Sequence, residues 1–426
     1  MIFQIITTYD KEGKRLEIDD YSASKMRILK QVQDRLVRVS TVSDEEVIRQ
    51  IEECILSDRY MINVSSSLRS KMRRELYNRI RRLDVLSELL DDDSVTEIMV
   101  NGVSNIFVER NGRIKDSGIR FESTQRLFDV VGQIAAGVNR SVNLLSPILD
   151  ARLDDGSRVN IVLNPIALNG PILTIRRFPN TPVDAARLIS LGSITPEVLD
   201  FLEVLVKAKY NILISGGTGS GKTTFLNVMT NYIPNDERII TIEDSAELKV
   251  QDIPNLVRLE TRNASLEGAG EITIRDLIKA ALRMRPDRII VGEVRGEEAI
   301  DMLQAFSVGQ DGSLSTIHAN HAEDALYRLE TMIMLSTRIP IEALRRQIAS
   351  GIDIIVQLGR LRDGSRHLLE VREVIGMCGN DIETTLLYEF VESGSDNGII
   401  KGNIIKRSKL TNIDKLKRSG INYELR

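Results

Sequence analysis

The chain has 426 residues, a formal net charge of -4, 4% aromatic residues and no Trp. At roughly 150 residues per domain that length predicts two or three domains, and an acidic balance with so few aromatics excludes a protein whose whole surface binds nucleic acid or whose site is a stacking platform for single strands. Two cysteines, Cys54 and Cys378, are too few for a disulfide framework or a Cys-rich zinc site. No apolar run approaches the roughly 18 residues that span a bilayer, and the start, M-I-F-Q-I-I-T-T, lacks the layout of a signal peptide. The expectation is a cytosolic protein with reduced thiols, joined to membrane only through a partner or a surface.

Residues 1–80 are expected to form a helical extension. Ser43 with Glu46 three residues on makes a capping-box pattern, and Val47, Ile48, Ile51 and Ile55 follow at helical spacing. A second helix carries Leu68, Met72, Leu76, Ile80 and Leu83 on one face. Its other face is basic, with Arg69, Lys71, Arg73, Arg74, Arg79, Arg81 and Arg82, which makes it either a docking surface for acidic groups or an ordinary solvated face.

Residues 81–178 change to short strands. Thr96–Val100 and Asn105–Glu109 flank Asn101-Gly102, a hairpin signal, and Ala151–Leu163 turns at Asp155-Gly156. With Gly170–Phe178 they predict an α+β domain. Two prolines, Pro179 and Pro182, then open a predicted linker over 179–189.

Residues 190–393 alternate strand and helix, as a parallel α/β sheet requires. Ile212, Leu213 and Ile214 enter the loop G-G-T-G-S-G-K-T-T, which fits the phosphate-binding pattern G-x-x-x-x-G-K-[ST], and an apolar-periodic helix leaves it. Gly217, Thr218, Gly219, Ser220 and Gly221 offer backbone N–H groups to phosphate oxygens, with the helix N-terminus behind them. Lys222 would reach the β- and γ-phosphates, Thr223 would sit on Mg²⁺, and Thr224 completes the loop.

Successive predicted strands end in polar groups. Arg238–Leu248 carries Glu243 and Asp244, Asp287–Gly296 carries Glu293, and Gly312–Asn320 carries Thr316 and His318. A parallel sheet places its ligand at these carboxyl ends, so the three carboxylates are candidates to orient Mg²⁺ waters or accept a proton, with His318 sensing the γ-phosphate. Each has a plain alternative as a solvated carboxylate or a packed histidine. The loop carries no arginine to aim at the γ-phosphate. The nearest upstream are Arg152, Arg158, Arg176 and Arg177, which a hinged domain could swing over the nucleotide or which could pair within their own domain. Past Leu361 the apolar periodicity weakens, and 394–426 is expected to be a loosely attached appendage.

Together G-G-T-G-S-G-K-T-T, I-T-I-E-D-S-A-E-L, R-M-R-P-D-R-I-I-V-G-E-V-R-G and S-T-I-H-A-N resemble the secretion ATPases of type II and type IV secretion systems and type IV pili. They stand for that superfamily's Walker A, Asp box, Walker B and His box, and the likeness is closest to the CpaF type, the assembly motor of Tad/Flp pili. It extends upstream through V-T-E-I-M-V-N-G, D-A-R-L-D-D-G-S-R-V-N and L-T-I-R-R-F, and downstream to K-L-T-N-I-D-K-L-K-R-S-G-I. The resemblance implies a RecA-like P-loop ATPase domain behind a PAS-like α+β domain, assembled as a cytoplasmic homohexamer on the inner face of the membrane. ATP and Mg²⁺ would drive it, and it would work on an inner-membrane platform protein to assemble or retract pili, without nucleic acid. It also implies Glu243 and Glu293 as the catalytic carboxylates, His318 as the nucleotide sensor and the upstream arginines as a clamp. Gly292, where an Asp often precedes the Walker B Glu, and Gln310 in the G-x-D-G turn depart from the pattern, and the paired C-x-x-C zinc motif of the type II branch is missing. Rival readings are a type IV secretion or conjugation ATPase, a nucleic-acid translocase on the same core, and a nucleotide-gated scaffold.

Overall fold

The computed structural model describes residues 18–37, 42–110, 112–153, 155–177, 183–262, 270–307 and 309–421. The chain divides into two compact units, Met1–Pro179 and Asn180–Arg426. Phe178 and residues 179–182 of the predicted linker, with both of its prolines, lie outside the described residues, as does the apolar start, 1–17.

In the first unit, α1 (Ile18–Leu36), α2 (Asp44–Ser57) and α3 (Ser66–Arg81) close around Ile28, Val32, Val47, Ile51, Cys54, Met72 and Leu76. Ser43 caps α2 by accepting from the Glu46 N–H at 3.2 Å, while the Glu46 carboxylate turns to Arg49 and Gln50, so only half of the capping box forms. The basic face of α3 is engaged within the unit. Arg74 pairs with Glu88 (3.4 Å), Arg81 with Asp44 (3.2 Å), Arg82 with Asp91 (2.6 Å), Arg73 with Glu52 and Arg79 with Glu122. Those pairs favour the solvated-face reading over a docking surface.

After α4 (Leu86–Leu90) comes an antiparallel sheet in the order β3-β2-β1-β6-β5-β4, formed by β1 (Val95–Asn101), β2 (Ile106–Arg110), β3 (Arg113–Asp116), β4 (Ile148–Arg152), β5 (Arg158–Val162) and β6 (Ile172–Arg176). Alternate residues, among them Ile98, Val100, Val159, Ile161, Leu173 and Ile175, pack against α5 (Thr124–Gly137) through Val130 and Ile134. Gly102 turns the first hairpin at φ +74°, and a Cβ there would lie 2.8 Å from the Asn169 carbonyl oxygen.

In the second unit, α6 (Ala185–Ser190) begins inside the predicted linker. Asp184 caps it by accepting from the Arg187 N–H at 2.7 Å, and Leu188 is buried, so the chain is ordered helix just beyond the prolines. Next come α7 (Pro196–Lys207), β7 (Ile212–Gly216), α8 (Lys222–Thr230), β8 (Ile239–Glu243), β9 (Leu256–Glu260), α9 (Ile274–Ala281), β10 (Arg288–Val294), α10 (Glu298–Ser307), β11 (Leu314–Ile317), α11 (Ala322–Ser336), α12 (Ile341–Gly351) and β12 (Ile354–Arg360). Six of these strands form a parallel sheet in the order β12-β7-β11-β10-β8-β9. Residues such as Ile212 and Ile214 face α7 and α8, while Leu213, Ile240 and Ile289 face α10 and α11. Cover on both faces explains the unbroken apolar runs of β7 and β8.

The expected appendage is instead part of this sheet. The strands β13 (Arg366–Cys378), β14 (Asp381–Asp396) and β15 (Ile399–Lys406) extend it antiparallel beyond β12, and α13 (Asp414–Arg418) folds back with Leu410 and Leu416 in the core. The buried Glu373 carboxylate accepts from the N–H groups of Thr411 (2.8 Å) and Asn412 (2.6 Å), and Tyr210 donates to the Asn412 carbonyl at 2.6 Å. Lys415 bridges Asp353 (2.6 Å) and Asp311 (2.9 Å). Polar anchors of this kind, spread over 200 residues of sequence, leave no periodic signal in the tail itself.

Candidate active site

The loop after β7 takes its shape from close backbone approach. At Gly216 a Cβ would fall 2.6 Å from the Leu358 carbonyl oxygen of neighbouring β12, and Gly219 and Gly221 stand at φ +72° and +95°, where side chains are strained. Lys222 opens α8 and is only 7% exposed. Its ammonium donates to the carbonyls of Gly216 (2.9 Å) and Gly217 (3.1 Å), so the charge stays within the loop. Thr223 and Thr224 follow in the first turn of α8, where helix N–H groups have no intrahelical acceptor.

Two predicted groups meet beside that lysine. His318, just past β11, places its ring nitrogens 3.3 and 3.4 Å from the Lys222 ammonium and its Nε2 at 2.7 Å from a Glu293 carboxylate oxygen. Burial, and then the Lys222 charge, hold the His318 imidazolium below its ordinary pKa against the opposing pull of Glu293. The ring is therefore neutral at pH 7. The Nε2 approach to Glu293 is a close contact without hydrogen-bond geometry, since that carboxylate oxygen is buried with no hydrogen-bond partner, and the ammonium stands about equally far from both ring nitrogens. Thr316 donates to the Gly292 carbonyl at 2.8 Å and fixes β11 to β10 beneath this group.

Glu243 ends β8 and is 3% exposed. One oxygen accepts from the N–H groups of Glu247 and Leu248, each at 2.8 Å, while the other is buried with no hydrogen-bond partner. Desolvation outweighs those two bonds and pushes the carboxyl up to about 7. Gly292 now has an explanation. A Cβ there would lie 3.0 Å from Glu243 Cγ, so the Glu243 side chain occupies the room that an Asp in the Walker B strand would need. Asp244 is exposed and stands 3.6 Å from Arg295.

Arg295 escaped the sequence reading. Its Nη2 and Nε donate to the second Glu293 oxygen at 2.6 and 2.9 Å. Arg366, from the start of β13, was missed as well; it donates to the Gly219 carbonyl at 2.8 Å. Nothing near Arg366 in sequence marks it, because only the antiparallel pairing of β12 with β13 brings it to the loop. For Arg295 the proximity to Glu293 was a usable signal.

The upstream arginines lie on the sheet of the first unit. Arg177 is engaged there, donating to the carbonyls of Val95 (3.0 Å) and Asp92 and pairing with Asp93 at 3.6 Å. Expected as part of a nucleotide clamp, Arg177 ties the end of β6 to the start of β1 instead. Arg152 is engaged as well, its Nε donating to the Gly156 carbonyl at 3.1 Å. Register pairs Arg152 with Arg158 and Arg158 with Arg176, and Arg176 with Glu97, which sets three guanidinium side chains in a row across β4, β5 and β6 on the face away from α5.

A lysine inside a glycine-rich loop, with carboxylates and a neutral histidine on the adjoining strand ends, suits one substrate class, a nucleoside triphosphate. Fold and site are those of a P-loop ATPase. Residues 81–385 match the family described as "Type II/IV secretion system protein", and the chain belongs to that family. A Mycobacterium tuberculosis (strain H37Rv) protein named for conjugal transfer is 34% identical over 304 residues, covering 70% of this chain and 86% of that protein. "Type IV secretion system protein VirB11" of Brucella suis biovar 1 is 31% identical over 318 residues, covering 68% and 88%. The crystal structure of the VirB11 ATPase from the Brucella suis type IV secretion system, in complex with sulphate, aligns at 30% identity and a TM-score of 0.37 over 67% of this chain and 91% of that one. No helix among the described residues is long and apolar enough to cross a membrane.

Proposed function

We propose that this secretion ATPase is a homohexameric motor of the CpaF type, working from the inner face of the cytoplasmic membrane on a platform protein to assemble Tad/Flp-type pili. The observation that carries the hydrolytic part is the continuous chain Lys222–His318–Glu293. An incoming γ-phosphate competes with the Gly216 and Gly217 carbonyls for the Lys222 ammonium. The His318 ring touches that same ammonium and stands with Nε2 2.7 Å from Glu293, so phosphate binding is felt at the carboxylate through the ring. Glu293 then accepts the proton of the attacking water. Mg²⁺ fits the hard oxygen donors available, the Thr223 hydroxyl and the orphaned Glu243 oxygen, with Asp244 further out; when bound it neutralises charge on the departing phosphoryl group. Arg152, Arg158 and Arg176 form the clamp. Like charges directly opposite on a sheet are unfavourable, and three in a row are suited to a polyanion.

Support for the pilus branch is the likeness of the β1, β4–β5, β6 and tail blocks. The second reading is a type IV secretion or conjugation motor, favoured by the names of relatives at 31–34% identity. Phosphate release by wild type and Glu293→Gln, with light scattering under ATP and with and without DNA, tests the enzyme. DNA-independent turnover lost in the variant, in a ring-sized particle, supports the motor; turnover only with DNA transfers the reading to a translocase. Surface pili absent from a deletion strain, with conjugation unaffected, would select the pilus branch, and the reverse pattern would select the other.

A further inference from the structure

Glu293 is hydrogen-bonded through one oxygen only, which takes two nitrogens of the Arg295 guanidinium at 2.6 and 2.9 Å; its other oxygen is buried without a hydrogen-bond partner, 2.7 Å from His318 Nε2. The third guanidinium nitrogen lies 3.6 Å from Asp244, at the end of the neighbouring strand β8. Arg295 is itself anchored, because its backbone N–H and that of Gly296 donate to the Glu298 carboxylate at 2.6 and 2.9 Å, at the first residue of α10.

We propose that Arg295 is a positioning residue for hydrolysis. Its planar fork grips one Glu293 oxygen with two nitrogens and couples the carboxylate to Asp244, which leaves the other oxygen, beside His318, free to face the substrate water. A planar contact through two nitrogens is one a lysine cannot reproduce. A half-exposed surface ion pair with no such duty would matter little to rate or stability. The inference rests on Glu293 as the proton acceptor.

The test is steady-state ATP hydrolysis by Arg295→Ala and Arg295→Lys in the full chain, each with Glu293→Gln run in parallel. Positioning predicts a fall in kcat of at least tenfold in Arg295→Ala, with the KM for ATP within about threefold of wild type and an unchanged melting temperature. Arg295→Lys should recover only a small part of that loss. Guanidinium ion, the missing headgroup, should restore rate to Arg295→Ala saturably at millimolar concentration, where sodium ion at equal ionic strength does not. Wild-type kcat in Arg295→Ala overturns the proposal, as does a loss confined to KM, or full recovery in Arg295→Lys. If Glu293→Gln itself turns over normally, the reading of Glu293 fails first; if it is inactive while Arg295→Ala is normal, only the role of Arg295 falls.

Discussion

Glu243 makes the protein less stable as the pH rises. Its carboxyl ordinarily titrates near 4.5 and here titrates at about 7. Between those values the unfolded chain has released the proton and the folded chain still holds it, so stability falls with rising pH across that window and levels off above it. At about 1.4 kcal/mol per pH unit, the loss by pH 8 is roughly 3 kcal/mol. Glu243→Gln has no such window. Its amide oxygen can keep the N–H groups of Glu247 and Leu248, while its NH₂ takes the place of the unpartnered oxygen at a cost of about 1–3 kcal/mol that does not vary with pH. The melting temperature of Glu243→Gln relative to wild type should therefore climb between pH 5 and pH 8. At roughly 2–4 °C per kcal/mol for a unit of this size, the climb is on the order of 6 °C or more. Trp is absent, so scanning calorimetry of the full chain without nucleotide is the suitable assay. A gap between the two proteins constant to within about 1 °C over that range would refute the reasoning.

Glu293→Gln should lower kcat by about 10²–10⁴ while equilibrium binding of a fluorescent ATP analogue changes only a few-fold. Gly292→Asp should abolish turnover by expelling Glu243; higher Mg²⁺ affinity with turnover kept would show that the added carboxylate had found a useful place. Arg177→Ala should cost about 1–3 kcal/mol in denaturant unfolding and leave the KM for ATP alone, because it strands the Asp92 and Val95 carbonyls. Arg176→Ala should do the opposite, lowering kcat/KM with stability inside about 0.5 kcal/mol. The fully buried Arg288 forks onto Glu237 at 2.5 and 3.0 Å, so Glu237→Gln should destabilise the second unit by about 3–5 kcal/mol, visible as a lower calorimetric midpoint.

Much of this was legible in the residues because parallel strands covered on both faces must be continuously apolar, and β7, β8 and β10 read that way before any coordinates. The glycines of the loop are local devices and equally visible; so is the Ser43 cap of α2, which forms at 3.2 Å. What stayed hidden depends on partners far off in sequence. Strands β13 to β15 are covered unevenly, so their alternation is blurred, and the anchors Glu373 and Lys415 read as ordinary surface charges until Thr411 and Asp353 are brought beside them. Gln310 and Gly312 looked like motif residues of one turn. The structure separates them: Gly312, at φ +84°, leaves room for the Arg288 guanidinium, which a Cβ would meet at 2.6 Å, while Gln310 contributes its carbonyl to Ser313. Arg366 acts through geometry that no spacing rule encodes, whereas Arg295 stands two residues from Glu293.

The attachment of the last strands and helix to the base of β7 has a consequence for biosynthesis. Tyr210, Asn211 and Asp353 lie at the starting ends of β7, which delivers the phosphate loop, and of its neighbour β12, and the residues that complete their hydrogen bonds, Asn412 and Lys415, are synthesised some 200 residues after Tyr210. The N-terminal unit has all its strands in hand some 240 residues earlier. A nascent chain can thus acquire its first unit while its nucleotide site is still unfinished, and a chain released before Asn412 lacks the foot on which that site stands.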